Sequence, residues 1–185
     1  MALTTVRSTG IGSLPAISGA NLTTLNASNI SSGTLNSARF SGGKIGQVVQ
    51  GNHASEKANT STTFATTGVT ASITPSASSS TILVMVHING CAKFDGSNAG
   101  LVVKVFRGTS ASDTEVCHIT DRGSYTASNG NYNWTNSASI STIDSPSTTS
   151  ATTYTAFFKN SVASGQVRIH DNNVRSTITL MEILA

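Results

Sequence analysis

STILVMVHINGCAKF, Ser80 to Phe94, contains the longest apolar run of the chain, ILVMVHI at Ile82–Ile88. The run has the length of a strand and falls far short of a membrane span. Turn chemistry closes it: DGSN follows at Asp95. Both faces of the run are apolar, which predicts a strand in the middle of a packed assembly. The same alternation of short β-branched segments and turns continues on either side. The segments are KIGQVVQGNHA, STTFATTG and VTASITP before it, and AGLVVKVFRG, TEVCHITDRG, NYNWTNSASISTI, TTYTAFFKN, GQVRIHD and RSTITLMEIL after it. Between them lie DRGS at Asp121, SNGN at Ser128, SPST at Ser145 and DNN at Asp171. Many short strands at near-regular spacing, with no helical window, predict an all-β antiparallel sandwich of jelly-roll type. The best helical candidate, NHASEKAN, is short and runs into Asn-Thr-Ser, so it reads as a loop.

Composition agrees. The chain has 185 residues, about one domain by length, with 10% charged and 5% aromatic side chains. Ser and Thr together make up about thirty per cent, far above ordinary usage. A disordered chain would carry more net charge than +3 and fewer Thr, Val and Ile. Lys and Arg are scattered singly, so no basic patch argues for a nucleic-acid partner. No run has the length of a secretory core or a membrane span, so neither export nor membrane insertion is expected. Cys91 and Cys117 have no metal spacing, and a chain kept in a reducing cytosol leaves such thiols free.

A different pattern occupies the N-terminus. In NLTTLNASNISSGTLNSARF, Asn21 to Phe40, apolar residues fall at Leu25, Ile30, Leu35 and Phe40, and Ile45 continues the series. Small residues sit two positions earlier, at Thr23, Ser28, Gly33, Ala38 and Gly43. A period of five is neither helix nor strand. One chain alone would bury too little apolar surface here to offset the backbone ordering cost of about 1–2 kcal/mol per residue. Several chains supplying one another's contacts would. We therefore read residues 1–46 as a docking arm and stalk and residues 47–185 as the sandwich, with Leu22, Leu25, Ile30, Leu35, Phe40 and Ile45 as trimer contacts. Ahead of the stalk, MALTTVRSTGIGSLPAISG spreads Leu3, Val6, Ile11, Leu14 and Ile17 among Gly, Ser and Thr. That is too apolar for a solubilising tail and suits an arm that orders on a partner.

The segment ISGANLTTLNASNISSGTLNSARF resembles the stem segments of tailed-bacteriophage fibre proteins, particularly those of marine and cyanobacterial phages. SPSTTSATTYTAFF and the later DNNVRSTITLMEIL resemble the closing strands of small β-sandwich domains in such fibres and in head decoration proteins. The resemblance implies a homotrimeric virion surface protein, made in the bacterial host cytoplasm, without enzymatic activity or cofactor. Its partners would be capsid or tail proteins. The chain is short and shows no tail-adaptor domain or long shaft, which favours a capsid-bound head fibre or cement role over a tail fibre.

Chemistry-bearing patterns are sparse. The four histidines, His53, His87, His118 and His170, show no metal spacing. His87, inside the apolar run, reads as a core residue, and His170-Asp171 as a solvated turn. Ser is so abundant that any Ser-His-Asp grouping drawn on the sequence carries no information, and GxSxG is absent. The aromatics of GSYTASNGNYNW stand out: Tyr125, Tyr132 and Trp134 hold the single tryptophan and two of the three tyrosines. Set among Asn and Ser, they are candidates for stacking on a host-surface glycan. The stronger expectation is that Tyr132 and Trp134, on one face of a strand, pack beneath it or at a subunit contact.

Overall fold

The structure, a computed structural model, describes residues 44–184 except residue 131. The arm residues Leu3, Val6, Ile11, Leu14 and Ile17 and the stalk residues Leu22, Leu25, Ile30, Leu35 and Phe40 lie outside the described residues. Ile45 lies within them.

Ten strands follow one another: β1 Lys44–His53, β2 Lys57–Asn59, β3 Ala65–Ile73, β4 Thr81–Phe94, β5 Leu101–Arg107, β6 Thr114–Gly123, β7 Asn133–Asp144, β8 Thr152–Asn160, β9 Gln166–Ile169 and β10 Ser176–Leu184. One 3-10 turn, Asp171–Asn173, interrupts them. β1 begins at Lys44, so the sandwich takes in residues 44–46 as well as those from 47 onward. STTFATTG and VTASITP, read as separate segments, join into the single strand β3, with a register shift between Thr66 and Thr70 and a positive φ at Gly68. NHASEKAN forms no helix. It spans the end of β1 and all of β2.

All pairings are antiparallel. The first sheet runs β1-β10-β4-β9-β2, with β7 on the other edge of β4, and the second runs β3-β8-β5-β6. The two sheets pack face to face as a sandwich. Its interior is filled by alternate residues of facing strands: Ile82, Val84, Val86 and Ile88 of β4 and Ile178 and Leu180 of β10 meet Val69 and Ile73 of β3, Val103 and Val105 of β5, and Tyr154, Ala156 and Phe158 of β8. Each such aliphatic side chain, taken fully out of water, contributes about 1.5–3 kcal/mol before entropy is counted. β1 closes on β3 at the side of the sandwich, where a Cβ on Gly51 would lie 1.8 Å from the Thr70 carbonyl oxygen.

β4 is central, as its apolar run predicts, yet only one of its faces is buried. Leu83, Met85 and His87 point outward. His87 is therefore an exposed residue and not a core one, because alternation along β4 gives the interior to the even-numbered positions 82 to 88. Both cysteines are free: Cys91 is buried in β4, and Cys117 is half-buried in β6. Burial pushes the Cys91 thiol up to about 12 and the Cys117 thiol, with Glu115 adding to the effect, up to about 11. Neither is a reactive thiolate at neutral pH.

Candidate functional site

The most chemically distinctive surface lies where the long strand β4 passes the turn after β9. The sequence HDNN forces a sharp reversal there. His170, Asn172 and Asn173 take φ of 56°, 57° and 59°, the left-handed region in which Asn is tolerated better than most residues. The Asn173 amide donates to the His170 carbonyl, and the His170 amide donates to the Asn89 carbonyl on β4, both at 2.8 Å. The turn lies directly on Gly90, whose φ is +63° and whose added Cβ would stand 2.4 Å from the Asp171 nitrogen. A register shift between Asn89 and Cys91 marks the bulge that makes room for it. Asn89 completes the junction: its amide donates to Ser176 Oγ and its Nδ2 to the Arg175 carbonyl.

Two aromatic rings stand beside this turn. Tyr132 and Trp134 are 48% and 40% exposed, with ring centroids 5.0 Å apart and planes tilted by 36°. Within the single chain they do not pack beneath their strand, which corrects that half of the sequence expectation and leaves the subunit contact as the other. Trp134 takes an outward position at the start of β7, and Tyr132 precedes that strand and meets Phe94 edge-on. The Arg168 guanidinium lies over the Phe94 ring at 4.0 Å. The Tyr132 hydroxyl donates to Asp171 Oδ2 at 3.0 Å. Removal from water, and then this hydrogen bond and the Asp171 charge, push the Tyr132 hydroxyl above its ordinary pKa, so it stays a donor across the physiological range.

Asp171 is 4% exposed, which corrects the reading of His170-Asp171 as a solvated turn. Its carboxylate receives the Tyr132 hydroxyl on one oxygen and faces Arg168 at 3.8 Å on the other, while Arg168 also pairs with Glu56 at 3.0 Å. These contacts hold Tyr132 in place and leave its ring face and that of Trp134 partly open. Trp134 then forms one wall of a shallow cleft of about 470 Å³, closed by Asn89, Gly90, Asp171, Asn172, Val174 and Arg175. The cleft thus sets a partly exposed indole beside the polar side chains of Asn89, Asn172 and Arg175.

Tyr125, the third aromatic of the expected cluster, is engaged elsewhere. Its hydroxyl donates to Asn98 Oδ1 at 2.8 Å, and Arg122 lies 5.1 Å from its ring centre. The link to the platform is through the backbone, since Asn133 Nδ2 donates to the Tyr125 carbonyl. Lys93, fully buried in β4, holds the intervening loop by donating to Thr126 Oγ1 and to the Ser128 carbonyl. Phe94 and Arg175 carry no signal in the sequence, and Asp171 and Asn172 are marked there only as a turn. The DNN turn places polar groups at a fixed point but does not say what it faces. Among the described residues no three of His, Cys, Asp and Glu come together as a metal set.

No protein-family model and no curated protein matches the chain. Among solved structures it is similar to the crystal structure of the infectious bursal disease virus VP2 subviral particle, at 12% identity and a TM-score of 0.42, over 74% of this chain and 32% of that one. It is also similar to the T13 IBDV viral particle, at 13% identity and a TM-score of 0.41, over 77% of this chain and 36% of that one. The chain thus spans about a third of the length of the solved structures it matches.

Proposed function

We propose that this chain is a non-enzymatic virion surface protein, a short homotrimeric head fibre or capsid decoration protein, fixed to the particle by its N-terminal arm and carrying the sandwich outward. The supporting observation is the junction at the start of β1. The five-residue apolar series, suited to contacts between chains, reaches Ile45 one residue after the all-β sandwich begins at Lys44. A series of inter-chain contacts that runs in sequence up to an antiparallel sandwich suits a protein that displays the sandwich. Counting copies of this chain on purified particles, together with a reconstruction locating its density, tests the reading. Many copies on the capsid are expected. Absence from particles would refute virion surface placement, and a handful of copies at the tail would refute the head-fibre role.

A second reading, a receptor-binding role toward host-surface glycan, is favoured by one observation: Tyr132 and Trp134 present tilted, half-open ring faces beside the polar cleft. A pyranose ring would stack on Trp134 and present hydroxyls to Asn172 and Arg175. Trp134→Ala should then abolish adsorption to host cells while the melting temperature stays within a few degrees, since the ring is 40% exposed. Unchanged adsorption would dismiss the cleft as a receptor site.

A further inference from the structure

The outer face of the β1-β10-β4-β7 sheet carries no Lys, Arg, Asp or Glu at its outward positions, and register fixes what it carries instead. Ile45 lies beside Ile183, and Val48, Met181, Leu83 and Ile143 form one row across all four strands. The next row brings Met85 outward between Thr179 and Ser141. Ile45, Val48, Met85 and Ile143 are 58%, 55%, 42% and 60% exposed. The opposite outer face, on β5, β6 and β8, is built as a solvated surface usually is. Lys104 pairs with Glu115 at 2.7 Å, and Lys159 lies over the ring of Phe64. One side of the sandwich thus carries ion pairs, while the other carries a row of large apolar side chains set among outward Gln50, Asn52, Thr177, Thr179, His87, Ser139 and Ser141.

We propose that this uncharged face packs against other copies of the same chain, with Ile45 and Val48 nearest the axis. The inference deepens the homotrimer reading and rests on it. Its separate support is where the chain outside the described residues ends. The five-residue series through Leu25, Ile30, Leu35 and Phe40 reaches the described residues at Ile45, which is the corner residue of this face. Chains joined along that series would meet next through Ile45 and Val48, and the row running to Ile143 continues the same apolar surface. A capsid surface or the chain's own N-terminal segment could occupy the face instead, and the test separates both from a second copy.

The experiment uses the full chain. Sedimentation of the wild type should give a trimer. Val48→Cys in a Cys117→Ser background should then form covalent dimers on mild oxidation, because copies that meet near the axis bring this position together. Cys91, fully buried, does not compete. Val48→Asp combined with Ile143→Asp should keep the far-ultraviolet signature of the sandwich and weaken self-association at least about tenfold, since charges placed in the contact are repeated by symmetry. Thr149→Asp, on an exposed loop, should change nothing. A trimeric wild type that neither cross-links at position 48 nor responds to the double substitution overturns the face while leaving the homotrimer standing. A monomeric wild type overturns both.

Discussion

His170 shows how far a side chain's surroundings can depart from what its neighbours in sequence suggest. Its Nδ1 lies 3.1 Å from the Ser55 carbonyl, which can only accept, so the neutral ring carries its proton on Nδ1. Nε2 is left buried without a hydrogen-bond partner, against the ring of His53 at 5.2 Å. Burial, with the neighbouring His53 and Lys57 adding to it against the Ser55 hydrogen bond, lowers the pKa from 6.5 to about 4. Between those values the unfolded chain binds the extra proton and the folded chain does not, so stability falls as pH drops through that window. Glu182 adds a second, lower window. Its burial raises the pKa, but hydrogen bonds from Gln47 and Ser76 outweigh it and bring the group from 4.5 to about 2. Its stabilising effect is present above pH 4.5 and is lost as pH falls toward 2. His170→Asn keeps a residue that accepts the left-handed backbone and removes only the upper window. Denaturant titrations from pH 7 to 4 should show the wild type losing a few kcal/mol and the variant losing markedly less. An equal loss in both would show that another group controls the acid response. In sequence, HD before NN looks like an ordinary turn. Nothing in it reports that His53 of β1 meets the His170 ring or that Tyr132 and Arg168 meet Asp171.

At the scale of strands the sequence was highly legible, and for a local reason. A two-residue period bounded by Gly, Asn, Asp and Ser is written in consecutive residues, so the limits of β4, β5, β8 and β10 could be read directly. Pairing could not. β1 pairs with β10 across almost the whole chain, and nothing local in either strand names the other. Faces were read less well than limits, because in a strand one step of phase exchanges inside for outside. That is why His87 and Trp134 were assigned inward and lie outward. The bulge at Gly90 is the device that sets phase in this part of β4. An alanine there would have to keep φ near +63° with its Cβ 2.4 Å from backbone nitrogen, so the 170–173 turn must move or the strand must straighten. Gly90→Ala should cost about 1–3 kcal/mol or more in a thermal or denaturant melt and should also disturb the Tyr132–Asp171 hydrogen bond. The Trp134 emission spectrum reports the second effect. A variant with wild-type stability and fluorescence would mean that the turn does not depend on the bulge.

At the scale of the whole molecule, the sandwich has a complete core, whereas the sequence of residues 1–19 is sparse in apolar side chains. The sandwich buries Ile82, Val84, Val86, Tyr154, Phe158 and Leu180 from within residues 44–184 and needs nothing upstream to do so. Leu3, Val6, Ile11, Leu14 and Ile17 have no comparable density of apolar neighbours in their own sequence, and Arg7 is the one charged side chain among residues 1–19. On the function proposed above, such a segment would gain its contacts from a partner, with the ordering entropy offset at binding. Three arms joined by one stalk would engage a site with the effective concentration that linkage supplies, so even weak single contacts would hold. Deleting residues 1–19 should therefore leave a soluble trimer whose sandwich melts as the wild type does, yet which no longer co-sediments with phage particles. Adding purified truncated and full-length protein to particles lacking the native copies, and weighing what is retained, gives the comparison directly. If the truncated chain decorates particles at the full copy number, attachment resides downstream of residue 19 and the arm is not the anchor.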